Sequence, residues 1–130
     1  MAIFLLDTSV IIDAINNKRN RKAFLLGLLN QGHSLGCCPI NITEVYAGMR
    51  PKEQVETEHF LRSLQVYPLI WPVAELAGLL KRDYSKKGLT LNLGDVIIAA
   101  TAIYHNLTLL TDNTKDFPMK ELQLYPLPQA

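Results

Sequence analysis

The chain has 130 residues, 48% of them hydrophobic and 19% charged, with a formal net charge of +1. That length and hydrophobic fraction predict one folded domain over 1–130 with a real core, and they exclude a disordered chain. The near-neutral balance excludes a global basic field, so any contact with nucleic acid must rest on local patches.

Ile3-Phe4-Leu5-Leu6 runs straight into Asp7. An apolar run this short reads as a strand buried on both faces, as in a parallel sheet. It is too short to span a bilayer, carries Asp7 at its end and has no basic region ahead of it. The expectation is therefore no signal peptide, no membrane contact and a cytoplasmic location. Thr8 or Ser9 can cap a helix whose apolar positions are Val10, Ile11, Ala14 and Ile15. Asp13 on that helix reads as a surface residue. A polar, basic break over 16–22 follows, in which Lys18, Arg19, Arg21 and Lys22 read as a solvated loop. Ala23–Leu29 reads as a second helix, ended by Gln31-Gly32, and Ser34–Cys38 as a second strand. Cys37 and Cys38 are the only cysteines. As strand neighbours they point to opposite faces and are poorly placed to bridge, which suits a reducing compartment.

Asn41-Ile42-Thr43-Glu44 has the spacing of a capping box and opens a helix that runs out at Gly48. A further helix starts at Pro51, with Val55, His59, Phe60 and Leu64 as its apolar stripe. Val66–Ile70 is a short strand or extended link. Val73–Lys87 is helical, with the stripe Val73, Leu76, Ala77, Leu80 and Tyr84 and basic residues gathered at its end. Trp71 reads as core or interface. Asn92 to Asp95 repeats the capping-box spacing and opens the most apolar helix, Val96–Tyr104, which Asn106 stops. Thr108–Thr111 is the next strand and Leu122–Leu124 a last short one. This alternation predicts an α/β fold: a three-layer α/β/α sandwich on a central parallel sheet of four to five strands.

Acids stand at the junctions of these elements: Asp7 after the first strand, Glu44 and Asp95 at helix starts, Asp112 and Asp116 after the Thr108–Thr111 strand. In a parallel sheet those junctions share one edge, where open α/β sheets build their sites. Carboxylates gathered there repel one another unless a cation neutralises them. Oxygen ligands without His or Cys suit Mg²⁺ or Mn²⁺ rather than zinc. The hydroxyls of Thr8, Ser9 and Thr111 can orient water or carboxylate. His33, His59 and His105 lack ligand-spaced neighbours, and none is assigned to chemistry. Arg50 and Lys52, just past the Glu44 helix, are placed to meet phosphate. Each Asn-x-x-acid pair also fits a helix cap with no chemistry, and a glutamate folded back on its own helix would point away from a cleft.

Four motifs recur in order: Asp7-Thr8-Ser9, Thr43-Glu44-Val45 before Ala47-Gly48, Gly94-Asp95-x-x-Ile98-Ala99-Ala100, and Leu110-Thr111-x-Asn113-x-x-Asp116-Phe117. Together they resemble the PIN-domain ribonucleases, in particular the VapC-type toxins of toxin–antitoxin pairs, over nearly the whole chain. The resemblance implies a PIN-like fold and an endoribonuclease dependent on one or two Mg²⁺ or Mn²⁺ ions. It implies acidic residues at Asp7, Glu44 and Asp95, with Thr8, Ser9, Thr111 and Asn113 in support. Asn113 stands where many such domains carry a fourth acid. Asp116 is then the better contributor, Asp112 reads as a solvated neighbour, and Asp13 remains a minor candidate. The resemblance further implies an RNA substrate, a homodimer and a cognate antitoxin that inserts an apolar segment and blocks the site. An inactive PIN-like RNA- or protein-binding module is the alternative. A haloacid-dehalogenase-like phosphatase would need an aspartate where Ser9 stands.

Overall fold

The computed structural model describes residues 2–128. Five strands form one sheet: β1 (Ile3–Leu6), β2 (Ser34–Cys37), β3 (Gln65–Val66), β4 (Thr108–Thr111) and β5 (Gln123–Pro126). Their order is β3-β2-β1-β4-β5, and every pairing is parallel. The sheet is therefore the one expected, with shifts at its edges. β3 stops at Val66, short of the expected 66–70, and β5 lies over 123–126, slightly beyond the expected 122–124. Pro126 is tolerated there because β5 is an edge strand.

Six α-helices connect the strands: α1 (Thr8–Ile15), α2 (Arg21–Asn30), α3 (Pro39–Ala47), α4 (Gln54–Arg62), α5 (Trp71–Lys86) and α6 (Leu93–His105). The pleat of each strand sends alternate residues to opposite faces. Leu5, Cys38 and Leu109 join Val73, Ala77, Val96 and Ala99 of α5 and α6 in one apolar cluster. Phe4, Leu6, Cys37 and Leu110 join Val10, Leu25, Val45 and Leu61 in the other. The two adjacent cysteines thus fall on opposite sides of the sheet, both free and buried, and three layers result. Gly32 and Gly88 follow α2 and α5 at φ +89 and +85, a region that glycine enters without the Cβ clash. Asn106 ends α6 in the left-handed region, as its position suggested.

Two further stretches, α4 and the basic break, differ from their sequence reading. In α4 the buried residues are Thr57 and Leu61, while Val55 is 81% exposed. The helix is turned so that Val55 rims a groove instead of entering the core. The basic break is not a solvated loop throughout. Arg21 is buried, donates to Asp112 and to the Pro128 carbonyl, and stands 3.9 Å from Asp13. Arg19 takes a left-handed backbone at φ 55, a strained state for a side chain with a Cβ. Its guanidinium is held between Asp112 at 3.2 Å and Asp13 at 3.7 Å.

Candidate active site

β1 ends by donating the Asp7 N–H to the Leu110 carbonyl of β4. The chain then turns into α1 with Asp7 itself as the cap. Oδ1 of Asp7 accepts from the Thr8 N–H at 2.8 Å, and its carbonyl accepts from Val10 and Ile11. Neither Thr8 nor Ser9 caps this helix, because the left-over N–H groups of its first turn already face Asp7. Oδ2 of Asp7 accepts from the Thr111 hydroxyl at 2.8 Å, and Thr111 Oγ1 accepts from the Asn113 N–H. Only 6% of Asp7 is exposed. Burial pushes its carboxyl up from 3.8, the two hydrogen bonds pull it back, and the charges of Asp112 and Glu44 push it up again.

α3 begins at Pro39, earlier than the Asn41 spacing suggested. The box at its start pairs Cys38 with Asn41, whose Oδ1 accepts from the Cys38 N–H at 2.8 Å. Asn41 is therefore inside the helix, and Glu44 is not its capping partner. That frees the Glu44 carboxylate, and Thr8 Oγ1 donates to its Oε1 at 2.6 Å across two elements. Asn92 does cap α6, accepting from Gly94 at 2.9 Å. The Asp95 carboxylate in that first turn makes no hydrogen bond among the described residues. Burial lifts its carboxyl from 3.8 to about 6, and Asp7, Asp116 and Glu44 add to the rise. Asp116 ends a 3-10 turn, Thr114–Asp116, that follows β4.

Asp7, Glu44, Asp95 and Asp116 line one open cleft of about 270 Å³, with Thr8, Ser9 and Asn113 beside them. Thr111 stands behind, holding Asp7. Among the described residues the cleft walls carry no lysine, arginine, histidine or cysteine. Asp112 is not a solvated neighbour: it is 5% exposed and takes bonds from Ser9 (3.0 Å), Arg19 (3.2 Å) and Arg21 (3.3 Å). It belongs with Asp13 to an ion-pair cluster adjoining the cleft, and it draws the Ser9 hydroxyl to that side. Arg50 pairs with Glu53 at 2.7 Å on the surface, and neither Arg50 nor Lys52 lines the cleft. The Arg19–Arg21–Asp112 cluster carried no sequence signal, since partners about 90 positions apart leave no local pattern, and Asn41 was legible only as a helix cap, with nothing in the chain pointing to its bond with Thr8.

Four carboxylates with no cation of the protein between them form a donor set of oxygens only. Two of them are held above the usual carboxylate range. Such a set fits a hard divalent ion, Mg²⁺ or Mn²⁺. Among the described residues no three His, Cys, Asp or Glu side chains stand as a ready-made metal group. Burial first, and the neighbouring charges with it, fix the sign of a pH effect. Between about pH 4 and pH 6 the folded chain keeps on Asp95 a proton that the unfolded chain has released, so the cation-free protein loses stability as pH rises through that window. The expected result is that the melting temperature of Asp95→Asn minus that of the wild type grows from pH 4.5 to 6.5 in metal-free buffer. A difference that stays constant with pH would show that Asp95 is not strained.

A family model for the PIN domain matches residues 4–121. Among curated proteins, Ribonuclease VapC10 of Mycobacterium tuberculosis is 33% identical over 124 residues, covering 95% of this chain and 92% of the relative. Ribonuclease VapC19 of the same organism is 30% identical over 115 residues, covering 88% of this chain and 92% of the relative. Among solved structures, VapBC2 from Rickettsia felis, bound to a DNA fragment from its promoter, superposes with a TM-score of 0.84 at 26% identity. It covers 95% of this chain and 98% of its own.

Proposed function

The chain belongs to the PIN-domain family, and on that premise we propose that its carboxylate cleft hydrolyses RNA phosphodiesters with a divalent cation. The protein is then an endoribonuclease and the toxin of a toxin–antitoxin pair. Similarity to VapC ribonucleases over nearly the full length supports the reaction class, and similarity to a VapBC structure supports the pairing. The observation that carries the chemistry is the convergence of Asp7, Glu44, Asp95 and Asp116 on one cleft that has no positive side chain. The intact set gives the inactive-module alternative no support.

Asp7, Asp95, Glu44 and Asp116 would hold the cation. When bound, it lowers the pKa of a water and offsets charge on the attacked phosphate. The protein's own part is placement. Thr111 and the α1 backbone hold Asp7 at the floor of the cleft, and Thr8 holds Glu44. A carboxylate of the set accepts the proton of the attacking water. Single-stranded or looped RNA is the substrate class, because in-line attack needs an accessible and bendable backbone. Arg50 and Lys52 are proposed as outlying phosphate contacts.

This chain offers the antitoxin an apolar surface, but one apart from the cleft, so a segment seated there does not itself block the site as the resemblance implied. A groove of about 610 Å³ lies away from the acids, walled by Leu26 and Leu29 of α2 and by Val55 and Phe60 of α4. Its exposed apolar walls suit an apolar antitoxin segment. Trp71 is 82% exposed beside exposed Leu69 and Ile70, which rules out the core, and we assign this apolar patch to the homodimer interface. No helix among the described residues is long and apolar enough to cross a membrane.

The purified chain incubated with total bacterial RNA tests the reading. We expect new RNA ends in Mg²⁺ or Mn²⁺ and none with a chelator. Cleavage that persists undiminished in chelator would overturn the metal-dependent reaction.

A further inference from the structure

Asn41 is the largest polar side chain with no exposure at all, and it lies outside the cleft wall. Its orientation is determined by its neighbours. The Cys38 N–H can only donate, so the atom facing it at 2.8 Å must be Oδ1, which also accepts from the Cys38 thiol at 3.1 Å. Nδ2 must therefore face the other way, where it donates to Thr8 Oγ1 at 2.9 Å. With a lone pair of that hydroxyl engaged, its proton goes to Glu44 Oε1, at a short, charge-assisted 2.6 Å. The far side of the same carboxylate is confined as well. A Cβ at Gly94 would stand 3.0 Å from Glu44 Oε2, so glycine leaves just enough room for it. The bonds of the row Cys38–Asn41–Thr8–Glu44 all run in one direction, from the buried start of α3 to the cleft, and end on the Glu44 carboxylate, which only accepts.

We infer that Asn41 is a positioning residue for the ribonuclease site: through Thr8 it sets the orientation in which Glu44 presents its carboxylate to the cation. The inference rests on the reading of the cleft as a cation-binding nuclease site. It concerns a residue that touches neither ion nor RNA. Supporting groups of this kind fix ligand orientation, and their loss typically costs about 10–100-fold in metal affinity or activity.

The test is calorimetric titration of the cation-free chain with Mn²⁺, together with cleavage of total bacterial RNA at saturating Mn²⁺. Asn41→Leu keeps the branched outline while removing the donor to Thr8 and the acceptor for Cys38, and Thr8→Val removes the relay. Each should weaken Mn²⁺ binding about tenfold. The double variant should be no weaker than either single one, because both break the same row. Thr8→Ser, which keeps the hydroxyl, should recover most of what Thr8→Val loses. Should Asn41→Leu fail to melt cooperatively, Asn41→Ser, too short to reach Thr8, replaces it with the same expectation. Wild-type Mn²⁺ affinity in the Asn41 variants, or fully additive losses in the double variant, would overturn the role. A wild-type chain that neither binds Mn²⁺ nor cuts RNA would instead bring down the reading of the cleft itself, and the inference with it.

Discussion

Glu44→Gln is expected to abolish growth arrest on induced expression and to reduce RNA cleavage by roughly two to three orders of magnitude, the scale of losing one positioned group that offsets transition-state charge. The substitution keeps the size of the side chain, so the tight space beside Gly94 is still filled. An amide oxygen can still accept from Thr8, so the hydrogen bond to that hydroxyl survives. What disappears is one negative charge facing Asp7 and Asp95, both of which feel it. The fold should be undisturbed, because Glu44 contributes no apolar burial to either core cluster. Equal arrest by both forms at equal protein level would remove Glu44 from the site.

Asp7→Asn is expected to separate stability from function. Asp7 is buried at the end of a central strand, and its charge is disfavoured first by that burial and then by Asp112 and Glu44. Each such like charge is worth on the order of 1 kcal/mol at the effective dielectric of a partly wet cleft. Asparagine keeps the shape and caps helices as well as aspartate, so the bond from the Thr8 N–H is retained. In metal-free buffer the variant should melt at or above the wild type, by up to about 5 °C for a domain of this size. Added Mg²⁺ or Mn²⁺ should raise the wild-type melting temperature, because an ion that binds only the folded state stabilises it by mass action. The variant should lose most of that rise and its cleavage activity with it. Stability given up for function in this way is common at active sites. An identical metal-induced rise in the two proteins would rule out Asp7 as a ligand.

Much of this arrangement was legible in the chain because local chemistry and global topology agree. An apolar run ending in Asp7 specifies both a central strand and the edge where it stops. Cys37 and Cys38 alternate faces as a strand requires. Asn92 caps α6 and puts Asp95 in its first turn, as the spacing implied. At α3 two starts competed. Pro39, suited to a first helical turn, won, with Cys38 as cap. The Asn-x-x-Glu spacing there was a coincidence of position, and its failure is what leaves Glu44 free for the cleft. The charge cluster was illegible for another reason. Arg19 and Arg21 look like loop cations until the fold brings Asp112 to them across the sheet. In α4 the apolar periodicity was real, but at Val55 it serves an open groove. Periodicity marks apolar positions without saying whether a partner outside the chain covers them.

Anomalous diffraction from crystals of this protein grown with Mn²⁺ locates the cation itself. An anomalous peak is expected inside the cleft, within ligand distance of carboxylate oxygens drawn from Asp7, Glu44, Asp95 and Asp116, and no such peak there in Asp7→Asn. Manganese bound only at the Asp13–Asp112 cluster, or a cleft holding none at saturating Mn²⁺, would contradict the cleft as the cation site.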